Sequence, residues 1–127
     1  MATKDLTLTP LFDGLLSFQI DGVEVDLHNE YDCRAVSLEK NALRLSFIHV
    51  STSQPIIILF KDAVLCVLSF DPSSPDSTLD LFYRGRFEEG ENVLSTYDQQ
   101  GRSYYYLSFY NGSEIQLLAR SVTASFT

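Results

Sequence analysis

The chain has no tryptophan, one methionine, two cysteines and two histidines, and its 9 basic residues are outnumbered by 17 acidic ones. Each scarcity removes a class of chemistry. Cys33 and Cys66 form no Cys-x-x-Cys and match no zinc-ligand spacing. Both lie inside apolar segments, so the expected state is a pair of buried free thiols, with one disulfide as the alternative in a secreted protein. No Gly-rich phosphate loop, no Gly-x-Ser-x-Gly elbow and no His-Glu-x-x-His helix occurs. No cofactor and no metal site is therefore expected. Apolar runs such as Pro55-Ile-Ile-Ile-Leu-Phe60 are strand length, far short of the ~20 residues of a membrane helix. The opening MATKDLTLTP lacks the apolar centre of a signal peptide. A soluble, cytoplasmic protein is the expectation.

The shortage of bases leaves a net charge of -8. Phosphate repels such a surface, which argues against nucleic acid and anionic membranes as partners. The acids are zoned. Asp5, Asp13, Asp21, Glu24, Asp26, Glu30 and Asp32 occur without a base among them, and Asp71, Asp76, Asp80, Glu88, Glu89, Glu91 and Asp98 face only Arg84 and Arg86. Two acidic zones point to a basic protein partner; the plainer reading is that acidic surfaces keep small proteins soluble.

With 127 residues, the chain fits a single domain, 1–127, large enough to bury a core without staples. Its apolar spacing is two almost throughout, the strand signal. Leu15–Ile20 and Val23–Leu27 flank Asp21-Gly22, a pair suited to a tight hairpin turn. That register sets Ile20 against Val23, Phe18 against Val25 and Leu16 against Leu27. A second hairpin around Lys40-Asn41 pairs Leu38 with Leu43 and Val36 with Leu45. A third is expected around Lys61-Asp62, between Ile56–Phe60 and Ala63–Phe70. Both of its strands are apolar at nearly every position, which implies cover on both faces. Asp71–Thr78 reads as a loop. Leu79–Gly85 reads as a strand with Leu79, Leu81 and Tyr83 on one face; the alternative is a short helix capped at Ser74. Glu88–Asn92 reads as a solvated turn and Val93–Tyr97 as a modest strand, turned by Gln99-Gln-Gly101. The whole, roughly eight to ten short strands, is an all-β, antiparallel, hairpin-built sandwich or barrel.

The segment SYYYLSFYNGSEIQLL, Ser103–Leu118, carries aromatics at every strand parity. A two-residue Asn111-Gly112 turn would oppose Phe109 to Glu114. A three-residue loop, Tyr110-Asn111-Gly112, with Gly112 left-handed, instead pairs Leu107 with Ile115 and Tyr105 with Leu117. Tyr105, Leu107 and Phe109 then join the core. Tyr104, Tyr106 and Tyr110 occupy the other face with Glu114, Gln116, Leu118 and Arg120. Tyrosines offer large contact area at low entropy cost, so Tyr104, Tyr106, Tyr110, Glu114, Gln116 and Arg120 are the candidate partner-binding residues. The competing readings are ordinary strand tyrosines and the lining of a ligand cavity.

The one polar cluster with catalytic or ligating potential is Asp26-Leu-His28-Asn-Glu30-Tyr-Asp32, with His49 as a further nitrogen. Strand alternation would align Asp26, His28, Glu30 and Asp32, but nothing nearby organises a nucleophile or an oxyanion site. No catalytic residue is assigned. Asn111-Gly112-Ser113 matches a glycosylation acceptor, which the turn already explains.

Leu27-His28-Asn29, the hairpin ending Leu43-Arg-Leu-Ser-Phe47 and Ile57-Ile-Leu-Phe-Lys-Asp-Ala-Val64 together resemble small bacterial β-rich immunity proteins of toxin systems. Those families often carry Leu-His-Asp before an Ile/Val-rich hairpin and a Phe-x-Asp-Val step later. Here Asn29 stands for the Asp, and Ala63 precedes Val64. The resemblance implies a protein that covers a toxin rather than one that catalyses. The leading expectation is thus a non-enzymatic, acidic protein-binding domain. A small apolar-ligand carrier, with Ile56–Phe70 and Tyr104, Tyr106 and Tyr110 lining its cavity, is the alternative, and an enzyme built on His28 comes third.

Overall fold

Alternating apolar residues produce strands throughout the computed structural model, which describes residues 3–7, 9–10, 13–71, 76–85 and 99–127. The strands are β1 (Thr3–Asp5), β2 (Ser17–Ile20), β3 (Val23–Asp26), β4 (Tyr31–Glu39), β5 (Ala42–His49), β6 (Pro55–Lys61), β7 (Val64–Ser69), β8 (Leu79–Arg84), β9 (Ser103–Phe109), β10 (Glu114–Ala119) and β11 (Ser121–Phe126). Among the described residues there is no helix, and so none long and apolar enough to cross a membrane. The segments 88–92 and 93–97, expected as a turn and a strand, lie outside the described residues.

The local hairpins form where turn chemistry and cross-strand pairs agree. Asp21 and Gly22 take positive φ, 50° and 80°, the backbone of a two-residue turn whose twist matches its strands. Ile20 pairs with Val23 and Phe18 with Val25, and the Leu27 amide donates to the Leu16 carbonyl at 2.8 Å. Lys40 turns β4 into β5 with Leu38 opposite Leu43 and Val36 opposite Leu45. The β9–β10 connection uses the three-residue loop. The Phe109 amide donates to the Ser113 carbonyl at 3.0 Å, Gly112 sits at φ 86°, and Leu107 and Tyr105 face Ile115 and Leu117.

Three antiparallel sheets pack together without closing into a barrel. One has five strands in the order β1-β11-β6-β5-β4. A second has four, β7-β10-β9-β8, and β2-β3 form a small third sheet. The core lies between the two larger sheets. The five-stranded sheet contributes Leu43, Leu45, Phe47, Ile56, Ile58, Phe60 and Val122, and the four-stranded sheet Leu79, Phe82, Tyr105, Leu107, Ile115 and Leu117, all essentially without exposure. Phe60 spans the interface, its ring 6.0 Å from Phe82 and 5.3 Å from Tyr105. Burying a side chain of that size stabilises by roughly 1.5–3 kcal/mol, more when cavity formation is counted.

Two expectations are corrected here. β6 and β7 are not a hairpin: β6 lies between β5 and β11, whereas among the described residues β7 pairs only with β10, in the other sheet. Lys61-Asp62-Ala63 is an arch. Asp62 takes φ 50°, the Lys61 carbonyl accepts from the Arg120 amide, and the Ala63 amide donates to Asn41. Two apolar strands joined by a short turn can pair side by side or cross between sheets, and burial of β6 between two partners favours the crossing. As a result β7 is an exposed edge, not a doubly covered strand. The second correction concerns β8. It is a strand, but its register slips at Asp80, so Leu79, Phe82 and Arg84 are buried while Leu81 is exposed. A bulge adds one residue and sends the following side chains to the opposite face.

Candidate functional site: the outer face of the four-stranded sheet

Strand pairing arranges the outward side chains of β7, β10, β9 and β8 in rows. Val67, Gln116, Tyr106 and Tyr83 form one row across all four strands. Ser69, Glu114, Ser108 and Leu81 form the next, and Val64, Leu118 and Tyr104 a third. The ring centroids of Tyr83 and Tyr106 are 5.2 Å apart at 39°. Burial, and then the neighbouring Tyr106, raise the Tyr83 phenol above its ordinary value. A polar relay crosses the face: the Tyr104 hydroxyl donates to Gln116 Oε1, and Gln116 Nε2 donates to a Glu114 carboxylate oxygen. Glu114 is the sole ionic residue in these rows. The surface is therefore aromatic, apolar and lightly acidic, with its side chains held in place by neighbours.

On this face Val64, Val67 and Leu81 are each 39–45% exposed, and Cys66, the extra residue of a bulge against Gln116–Leu117, is also exposed. Cys33, in contrast, is fully buried, and burial pushes its thiol up to about 12. Both cysteines are free. The expectation of two buried thiols thus holds for Cys33 and fails for Cys66, because β7 is an edge.

The six residues singled out by sequence are not all brought together. Tyr106, Glu114 and Gln116 share the face. Tyr104 shares it too but is only 4% exposed, which makes it a support for Gln116 rather than a free anchor. Tyr110 lies in the β9–β10 loop and leaves the face. Its hydroxyl meets His28 Nε2 at 3.0 Å. Arg120 follows β10 and points to Asp62, 3.0 Å away, beside Arg102 at 3.6 Å from the same carboxylate. Val64, Val67, Leu81 and Tyr83 belong to the face and were not expected there. The first two depend on the arch, the last two on the Asp80 bulge, and neither has a compositional signature.

The His28 cluster is a turn, not a strand, which corrects the expected alignment of Asp26, His28, Glu30 and Asp32. Asp26 accepts from the His28 amide, the Asn29 amide and Asn29 Nδ2 at 2.7–3.1 Å. Partial burial pushes its carboxyl up, but these hydrogen bonds, led by the Asn29 side chain, outweigh burial and hold it below the usual range. His28 Nδ1 lies 2.9 Å from the Leu79 carbonyl. A carbonyl only accepts, so Nδ1 carries a proton, and Nε2 is hydrogen-bonded to the Tyr110 hydroxyl. His28 is thereby a clasp between the start of β8 and the β9–β10 loop. His49 is fixed in the opposite tautomer. Its Nδ1 accepts from the Ser51 and Thr52 amides at 3.1 and 3.2 Å, leaving Nε2–H directed at Glu30, 3.5 Å away. Among the described residues no group of three or more His, Cys, Asp or Glu is placed to hold a metal. Asn111 Oδ1 accepts from the Ser113 amide and its Nδ2, the atom a glycan would join, is buried.

No protein-family model, no curated protein and no solved structure matches this chain.

Proposed function

We propose that this is a non-enzymatic protein-binding domain that docks a basic protein through the outer face of β7–β10, and that it acts as an immunity protein covering a toxin. The observation that carries the reading is the row Val67–Gln116–Tyr106–Tyr83, bordered by the exposed Val64 and Leu81. Contiguous apolar exposure of this kind marks interaction surfaces, and tyrosines in fixed positions serve as anchors at their centres. The net charge of -8 would speed encounter with a basic partner without itself setting affinity. Free thiols, one of them exposed, suit a reducing compartment, so cytoplasmic residence belongs to the same proposal. The carrier reading has less support: β6 and β7 lie in different sheets, Tyr110 faces His28, and the cavity lining assigned to it does not assemble.

The test is a titration against the product of the neighbouring gene. A toxin product should bind the native protein, and Tyr106→Ala should lose about 2 kcal/mol of affinity, roughly 30-fold. Val67→Lys should weaken binding further by placing a charge in the interface. Absence of binding to that product would reject the immunity assignment, and native affinity in both variants would reject the face.

A further inference from the structure

A groove lies on elements other than those of the tyrosine face. Val23 and Glu24 of β3, Glu30 and Tyr31 at the start of β4, His49 of β5 and Phe126 of β11 line a groove of about 570 Å³, completed by the β5–β6 turn. Its apolar part is Val23, Tyr31 and Phe126. Tyr31 is nearly buried, with its ring 5.0 Å from His49 and perpendicular to it, while Val23 is 52% exposed. Its polar part is two carboxylates. Glu24 is held by Gln19 Nε2 at 2.6 Å, and Glu30 faces His49 Nε2 at 3.5 Å. No lysine or arginine is among the lining residues.

We infer that this groove receives an arginine side chain of the basic partner. A cation with an apolar stem suits the groove, because the lining joins two carboxylates, one of them facing His49, to aromatic and aliphatic surface without a lysine or arginine. Each carboxylate has acceptor capacity beyond the Gln19 hydrogen bond to Glu24 and the His49 contact to Glu30. Guanidinium fits better than ammonium: it is planar, packs on aromatic surface and donates in two directions at once, here toward Glu24 and Glu30. The inference rests on the basic-partner reading but on none of the residues of the tyrosine face.

Peptide titration followed by two-dimensional NMR tests it. Acetyl-Gly-Arg-Gly-amide should shift the resonances of Val23, Tyr31 and Phe126. The citrulline peptide, which keeps the shape and loses the charge, should bind at least tenfold more weakly, and the lysine peptide should also be weaker. Glu24→Gln, an exposed hairpin substitution, and Glu30→Gln should each reduce arginine-peptide affinity severalfold with the circular dichroism spectrum unchanged. Equal binding of the arginine and citrulline peptides, lysine binding as tight as arginine, or no shift in the groove would overturn the inference. So would groove shifts that appear on concentrating the protein alone, since a second copy would then be the occupant. Tyr106→Ala should leave peptide binding intact, so failure of the groove and failure of the face are separable.

Discussion

The two sides of the sandwich are finished differently. On the side where β11 and β8 meet the amino-terminal segment, both strands are bonded by that segment. β1 pairs with β11, the Leu6 amide donates to Val122, the Leu15 amide to Phe82, and Gly14 bridges to Tyr83. Leu6 and Leu15 are buried, and so is Arg84, whose Nε donates to the Thr9 carbonyl at 2.8 Å. On the other side, among the described residues, β7 pairs on one side only, and β4 has β5 as its strand partner with its Cys33 amide donating to the Ser77 carbonyl at 3.0 Å; a groove runs between Arg34–Val36 and Leu68, Phe70. Leu38, Val67 and Leu68 are exposed there. Unpaired edges invite further strand pairing, and proteins commonly blunt them with bulges and charge. Both edges here carry a bulge, at Arg34 in β4 and at Cys66 in β7, but β7 has no charge between Val64 and Ser69. The amino-terminal segment ties one side together, and the other side carries the face proposed above for recognition.

Substitutions should separate these roles. The largest effect is expected at the sheet interface. Tyr105→Ala removes a fully buried ring packed on Phe60, together with a hydroxyl that donates to the Thr7 carbonyl, and should cost about 3–5 kcal/mol in chemical denaturation. The adjacent Tyr106→Ala should cost under about half as much, since Tyr106 is half-buried. Equal losses would mean that the outer face is as much a core as the inner one, and the proposed docking surface would lose its basis.

On the closed side, Arg84→Met keeps much of the packing and removes the guanidinium that ties the amino-terminal segment to β8. A loss of about 1.5–3 kcal/mol is expected, the range for hydrogen bonds from a charged donor. Faster amide exchange at Leu6 and Leu15, with β7 unaffected, would localise it. A uniform change across both sides would show that the closed side is not an independent latch.

On the open side, Cys66→Ser should change stability by no more than ~0.5 kcal/mol. In the native protein Cys66 should react with a thiol reagent, whereas Cys33, buried and raised to about 12, should react only on unfolding. Protection of Cys66 in the free protein would mean that the β7 edge is covered.

The smallest effect is a pH dependence. Asp26 has a folded-state carboxyl held below its unfolded value, so it contributes stability above the unfolded value, and that contribution is lost as pH falls through the folded one. Asp26→Asn should therefore lower stability slightly at neutral pH and flatten the acid limb of the stability profile. An unchanged acid limb would show that the turn hydrogen bonds do not discriminate between the charged and neutral forms.

The parts of this fold that short-range chemistry controls were legible in the residues. Asp21-Gly22, Lys40-Asn41 and Tyr110-Asn111-Gly112 each combine a turn backbone with one register that matches apolar side chains, so pairings such as Phe18 with Val25 and Tyr105 with Leu117 follow locally. The division of Ser103–Phe109 into an inner set and an outer set follows from the same register. Tertiary structure decided the rest. Whether Lys61-Asp62 makes a hairpin or an arch depends on which distant strands compete for β6, a contest among β5, β7 and β11 that no local residue reports. The bulges at Arg34, Cys66 and Asp80 each shift the faces by one residue, and a single inserted residue leaves composition and spacing almost unchanged. The clasp of Tyr110 on His28, and the assembly of Val67 beside Tyr106, join segments remote in the chain. They exist because packing two sheets around a common apolar core brings those segments together.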